Sequence, residues 1–311
     1  MTTGARRRCR REPGGDRPCL VGRQPQGRSC LGPVAAMRAP LFAGFEGAWL
    51  HWNGHCTVTQ TRHTPEADMA VHYREALDQG AVGFRDVLPE RFDVAARRSA
   101  ARRAAPGAII CWSLTHWDQP RDPVRHAVAA VEGAGPLDRF IAVNEPSVGQ
   151  AVSGWSADHA LRMAIEMMDA AGSANPYAQW WTCDPVHHCG PEVWRATDEL
   201  VRAFGPSIEV VGCNYHAAHA GAPLRDILRC AADRFPDHRI GLTETSWHDG
   251  HAGCEGRFPR IRSRAEWWAH VIDEIEVSGV PLACATWMPW LDMAFEPGPV
   301  WPNGWRCHVP A

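Results

Sequence analysis

The sequence predicts a (β/α)8 barrel, an α/β fold of the TIM type, from three observations. Short apolar runs alternate with helical stretches from residue 41 onward, and eight such runs occur. That alternation is the pattern of parallel strands joined by crossover helices. Polar and aromatic residues follow directly on the apolar runs, at the face where barrels carry their chemistry. No Gly-rich phosphate turn follows the first run, which disfavours the doubly wound sheet, the competing α/β arrangement.

The strands are expected at Leu41–Phe45, Ala81–Arg85, Ala108–Leu114, Phe140–Val143, Ala178–Cys183, Ile208–Cys213, Ile240–Thr243 and Leu282–Trp287. Helix starts are marked between them. Thr64-Pro65-Glu66 offers an N-cap residue, a Pro at the first helical position and an acid on the helix dipole, and Gly80 can close that helix. Asp122-Pro123 repeats the signal. Ser156 can cap Ala157–Ala171, and Ser263 with Glu266 forms a capping box ahead of Trp267–Val277.

The 311 residues, 45% of them hydrophobic, suffice for one large core, and barrels of this type run to about 250 residues as one domain. We expect a single catalytic barrel over residues 41–311, preceded by an arm. Residues 1–40 hold nine Arg against Glu12 and Asp16, a net +7, which leaves about -10 of the total -3 for the rest. Their Arg/Gly/Pro-rich composition predicts disorder. No aromatics interleave the charges as single-strand binding requires. The arm is therefore read as dispensable, with Met37 an alternative start, and no nucleic-acid partner is expected.

All 32 basic residues are Arg. Without Lys there is no Schiff-base, pyridoxal or P-loop chemistry. Fifteen Trp against three Tyr suit a cleft that stacks on sugar rings, although Trp is more often core. Several of the twelve Cys fall inside expected strands (Cys111, Cys183, Cys213, Cys284), where a reduced thiol packs as a small hydrophobe. No signal-peptide apolar core and no run near the ~18 residues of a membrane span is present. The expectation is a soluble cytoplasmic protein with free thiols and no membrane partner.

The sharpest stretch is Ile141-Ala142-Val143-Asn144-Glu145-Pro146, an apolar strand that stops with a carboxylate at its tip. Arg239-Ile240-Gly241-Leu242-Thr243-Glu244 repeats the pattern about a hundred residues later. Two Glu at the same end of two parallel strands can hold a sugar between them. Other strand ends add Phe84-Arg85-Asp86, Ser113-Leu114-Thr115-His116-Trp117-Asp118-Gln119-Pro120, Asn214-Tyr215-His216 and Thr286-Trp287-Met288-Pro289-Trp290. A lone His or Glu-Pro is usually packing or a turn; the ordered ensemble is the signal.

From residue 41 to about 305 these motifs resemble the retaining β-glycosidases of glycoside hydrolase clan A, most closely family 1 and its short bacterial β-glucosidase-like relatives. The resemblance implies that Glu145 of Asn144-Glu145-Pro146 is the acid/base and Glu244 of Thr243-Glu244 the nucleophile. It implies that His116 and Trp117 bind the glycone, that Arg85 hydrogen-bonds the nucleophile and that Trp287 lies under the sugar. Asn144, Asn214 and His216 complete the expected substrate-binding set. Three positions depart from the family: Gly44 replaces a Gln, Thr245-Ser246 replace Asn-Gly after the nucleophile, and His216 replaces a Tyr.

The expected mechanism is double displacement. Glu244, held ionised by Arg85, attacks the anomeric carbon while Glu145 protonates the leaving oxygen and later activates water or another acceptor. The expected partner is a small carbohydrate or glycoside, and no cofactor is needed. Two other classes are compatible with the sequence. A metal-dependent barrel hydrolase would gather zinc ligands from His187, His188, Cys189, His216, His219, His248, His251 and Cys254. A non-catalytic sugar-binding barrel would keep the cleft without turnover. No metal is expected, because His at such loose spacing is ordinarily packed or exposed.

Overall fold

The computed structural model describes residues 39–45, 49–52, 56–60, 70, 73–74, 76–78, 80–88, 93–115, 120–148, 155–247 and 256–287. The N-terminal arm and the Thr64-Pro65-Glu66 helix start lie outside these residues.

Eight staves close into a parallel barrel. They are β1 (Leu41–Phe45), β4 (Gly83–Val87), β5 (Ile109–Ser113), β6 (Asp138–Ile141), β7 (Trp180–Trp181), β9 (Ile208–His216), β10 (Arg239–Ser246) and β11 (Leu282–Trp287). Each pairs in parallel with its neighbours in chain order, and β11 returns to β1 through Leu41↔Ala285 and Ala43↔Trp287. β8 (Asp184–Pro185) prolongs the line of β7 and pairs with β9. A two-stranded antiparallel hairpin, β2 (Trp49–Trp52) and β3 (Cys56–Gln60), follows the first stave.

Two of the boundaries that differ from expectation do so for a clear physical reason. The second stave runs from Gly83 to Val87 rather than from Ala81 to Arg85, because Asp86 and Val87 pair with Trp112 and Ser113 while Val82 is exposed. The fourth begins at Asp138 and ends at Ile141. Its polar start is tolerated because Asp138 accepts hydrogen bonds from Trp112 Nε1 (3.0 Å), Arg102 Nη2 (2.5 Å) and the Gly135 amide (2.7 Å). A buried carboxylate with that many donors is satisfied.

Helices α1 (Val94–Ala104), α2 (Pro123–Val131), α3 (Ala157–Ala174), α4 (Arg195–Phe204), α5 (Leu224–Arg234) and α6 (Arg264–Ser278) surround the staves, and residues 70, 73–74, 76–78 and 256–257 are helical as well. The start signals act as read. Asp122 accepts from the Arg125 amide with Pro123 in the first turn, and Ser156 accepts from the His159 amide. Ser263 accepts from the Glu266 amide, but Glu266 reaches back to the Arg262 amide rather than to Ser263, a one-residue variant of the capping box. Gly80 adopts a left-handed φ of 93° and bonds back to Leu77 O. α3 buries Ala160, Leu161, Ala164, Met167, Met168 and Ala171, one stripe at helical spacing.

Two apolar clusters result. The larger fills the layer between staves and helices. The smaller comprises Phe42, Cys111, Ile141, Trp181, Cys183, Val210, Ala283 and Cys284, all from staves except Cys183, which lies between β7 and β8. Cys111, Cys183, Cys189, Cys213, Cys230 and Cys284 are free. Trp112, Trp180, Trp194, Trp267 and Trp287 are buried and belong to the core. Among the described residues, no helix is long and apolar enough to cross a membrane.

Candidate active site

The site lies where β4, β6, β9 and β10 end. Strand register brings its parts level. Glu244 is the partner of Asn214, and Ser246 that of His216, across the β10–β9 pairing, with an irregularity in the ladder just before Glu244. Close approach on β9 requires glycine two residues before Asn214: a Cβ at Gly212 would stand 2.1 Å from Thr182 O and 2.5 Å from the Thr243 side chain.

Arg85 is the cationic hub and is fully buried. Its Nη1 donates to Glu244 Oε2 at 2.8 Å and to Thr243 O at 3.0 Å. Its Nη2 donates to Asn144 Oδ1 at 2.5 Å, and its Nε to Ser113 Oγ at 3.3 Å. Gly44, one of the positions at which the sequence departs from the glycosidase pattern, is the backbone partner of Arg85 on β1.

Asn214 joins the two carboxylates. Its Nδ2 donates to Glu145 Oε1 at 2.8 Å and to Glu244 Oε2 at 3.1 Å. The amide is oriented by what its oxygen accepts, Thr243 Oγ1 at 2.9 Å and Cys183 Sγ at 3.1 Å. Cys183 also reaches Asn144 Oδ1 at 2.9 Å. Burial pushes this thiol above its ordinary range, so it remains a protonated donor.

His216 completes the group. Its Nε2 lies 3.3 Å from Glu244 Oε1 and 3.6 Å from Glu145 Oε1. Its Nδ1 is within 2.8 Å of Ser246 Oγ. When Ser246 donates to Nδ1, the ring proton sits on Nε2 and faces both acids. One oxygen from each Glu and one His216 nitrogen all lie within 4.8 Å of one another.

Glu145 stands on an unusual backbone, with a left-handed φ of 51°. For a residue with a Cβ this conformation costs on the order of 1–3 kcal/mol and needs outside support. The fifth stave supplies it. The Glu145 amide donates to Cys183 O at 2.8 Å, and the Ser147 amide donates to Asp184 Oδ1 at 3.0 Å.

Of the residues expected from sequence, Arg85, Asn144, Glu145, Asn214, His216 and Glu244 are thus brought together. Trp287 sits at the end of β11, 2% exposed and edge-on to Trp268 at 5.2 Å. His116 and Trp117 lie outside the described residues. Sequence reasoning missed Cys183, Asp184 and Ser246, whose residue types carry no signal until the strand ends meet.

The metal reading also changes its residues. The His187 ring lies 5.5 Å from that of His219, tilted by 47°, and burial, with His216 and His219 beside it, lowers His187 to about 4. His188 instead accepts from the Gly190 amide, while His248, His251 and Cys254 lie outside the described residues. Among the described residues, the group with metal-ligand geometry is Glu145, His216 and Glu244.

Fold and site together define a (β/α)8 barrel with two acids facing each other at the C-terminal rim. No protein-family model matches the chain, and no curated sequence matches it. Solved structures do match. The GH53 catalytic domain of Ignisphaera aggregans aligns with TM-score 0.50 at 15% identity, over 82% of this chain and 87% of that one. The family 1 β-glucosidase from Thermotoga maritima aligns with TM-score 0.53 at 12% identity, over 82% of this chain and 89% of that one. The chain therefore has the barrel fold that these glycosidase structures share.

Proposed function

We propose that the protein is a retaining β-glycosidase, β-glucosidase-like, that hydrolyses or transfers a small glycoside. The observation that carries the proposal is the opposed pair Glu145 and Glu244, sharing one amide nitrogen of Asn214 with carboxylate oxygens within 4.8 Å. Retaining enzymes set their carboxyls roughly 5–5.5 Å apart, whereas inverting enzymes leave room for a water at about 6.5–9.5 Å.

Glu244 attacks the anomeric carbon. The Arg85 guanidinium at 2.8 Å stabilises its carboxylate and fixes the attacking oxygen. Glu145 gives its proton to the leaving oxygen, then takes one from the acceptor that opens the glycosyl-enzyme. Asn144 is oriented for the sugar by Arg85. The free thiols suit a reducing, cytoplasmic setting, and neither nucleic acid nor membrane is a proposed partner.

A panel of nitrophenyl glycosides, with product stereochemistry followed by NMR, tests this reading. Net retention is expected. Glu244→Ala and Glu145→Ala should each abolish hydrolysis of unactivated glycosides, and wild-type-like turnover in either variant overturns the assignment.

A metal-dependent reaction is the second reading, favoured by the Glu145–His216–Glu244 geometry. It is weaker because Arg85 and Asn214 already donate to the same carboxylates, and a cation there would face the Arg85 charge. Metal analysis of the purified protein, with activity before and after chelation, separates the two.

A further inference from the structure

We infer that Asp184 is the positioning residue that holds the proposed acid, Glu145, in its reactive place, by clamping the turn in which Glu145 sits. The inference rests on the glycosidase reading and adds a role for a residue outside the reacting pair.

The turn is Glu145-Pro146-Ser147-Val148, closed by the Val148 amide on Glu145 O at 3.2 Å. Pro146 has no amide hydrogen, so the amides on either side of it, Glu145 and Ser147, are what a neighbour can grip. The fifth stave grips both. Cys183 O accepts the first at 2.8 Å, and Asp184 Oδ1 accepts the second at 3.0 Å. A backbone carbonyl accepts whatever the side chain, but the second grip depends on Asp184 alone. Its carboxyl is completely buried, and its other oxygen, Oδ2, accepts from Thr197 Oγ1 of α4 at 3.1 Å. A chain of contacts therefore runs from α4 through Asp184 to the turn, and the turn carries Glu145 at its left-handed φ of 51°.

A buried carboxyl is an expensive way to satisfy one amide and the hydroxyls of Ser147 and Thr197 in a core. Its place next to the strained residue gives it a use. The acid must meet the leaving oxygen within hydrogen-bond reach, and a shift of about 1 Å at a catalytic group can cost about 100-fold. The family resemblance assigns nothing to this position.

The test exploits the difference between leaving groups. Dinitrophenolate departs without a proton, whereas phenolate needs one from Glu145. The full-length wild type, Asp184→Ala and Asp184→Asn are assayed on phenyl and 2,4-dinitrophenyl glycosides of the sugar the wild type turns over fastest. Asp184→Ala should lower kcat/KM for the phenyl glycoside about 100-fold while leaving the dinitrophenyl glycoside within about threefold. Asp184→Asn keeps an oxygen for the Ser147 amide and should stay within about threefold of wild type on both. A loss by Asp184→Ala that is equal on both substrates, no loss at all, or an Asn variant as poor as the Ala variant overturns the inference while the wild-type activity stands. A wild type inert on every aryl glycoside overturns the glycosidase reading, and this inference with it. If Asp184→Ala does not fold, Thr197→Val removes one of Asp184's donors and carries the same test. The expected result is then a smaller loss, again confined to the phenyl glycoside, and a uniform loss or none overturns the inference.

Discussion

Asn214 has one amide nitrogen and two carboxylates to serve, and it serves them because its oxygen is already taken by Thr243 and Cys183. Arg85 works in the same way, with a donor on each of its three nitrogens engaged by a different residue: Ser113 on β5, Glu244 on β10 and Asn144 just beyond β6. A charged group this deep is tolerated only when its partners are in place. Replacing it by a neutral side chain leaves Glu244, 12% exposed, without its compensating cation. Arg85→Met should therefore destabilise the fold by about 3–5 kcal/mol and lower kcat/KM by two orders of magnitude or more, about the loss seen when one transition-state electrostatic contact is removed. Chemical denaturation and aryl-glycoside kinetics check the two numbers separately. A variant with normal stability and lost activity would make Arg85 purely catalytic; one with the reverse would remove it from the site. At this scale the sequence was legible where a motif carried the residue. Arg85, Asn144, Glu145 and Glu244 stand at strand ends that read as such from residue types alone. Asp184 and Ser246 did not, because an Asp before Pro and a Ser after Thr look like any turn.

Among the elements, β9 and β10 do most of the placing, and their contact is close enough to require Gly212. A Cβ there would meet the Thr182 carbonyl oxygen at 2.1 Å, a backbone atom that cannot swing aside. Gly212→Ala should therefore shift β9, move Asn214 two residues on, and cost more than about 2 kcal/mol together with most of the activity. Gly107→Ala is the control, since nothing lies within 4 Å of its added methyl, and it should stay within about 0.5 kcal/mol of wild type. Equal behaviour of the two variants in urea melts would show that β9 has slack that this packing does not reveal. The elements themselves were largely readable. Apolar runs located each stave, and Asp122, Ser156 and Ser263 announced their helices through side chains that compete for backbone amides. What failed did so for local reasons. The charged start of β6 looks like loop until Trp112 and Arg102 are seen to satisfy Asp138. The fifth stave breaks into β7 and β8, a break that its apolar run conceals. The β2–β3 hairpin lies outside the eightfold alternation, and its sequence signal is Asn53-Gly54 between the two runs.

Over the whole molecule, the buried acid at position 184 links the site to stability. Burial pushes Asp184 up to about 7, the negative charge of Glu145 adds to the rise, and the bonds from Ser147 and Thr197 oppose it. In the unfolded chain an Asp loses its proton near about 3.9. Between about pH 4 and pH 7, then, the folded protein holds a proton that the unfolded chain has released. Stability therefore falls as pH rises through that window, and the contribution is flat above it. A gap of about 3 pH units at about 1.4 kcal/mol each comes to about 4 kcal/mol. Asp184→Asn has nothing to ionise. Its oxygen can accept from Ser147, and its amide can donate to Thr197 Oγ1 in place of the bond it now receives. The difference in unfolding free energy between this variant and wild type should grow in the variant's favour from pH 5 to pH 7.5, by about 2–3 kcal/mol of that total, and then level off. Parallel stability curves across that range would mean that Asp184 titrates in the folded protein as it does in the unfolded chain. A diverging pair would show that the fold gives up stability near neutral pH to keep a carboxyl beside its acid.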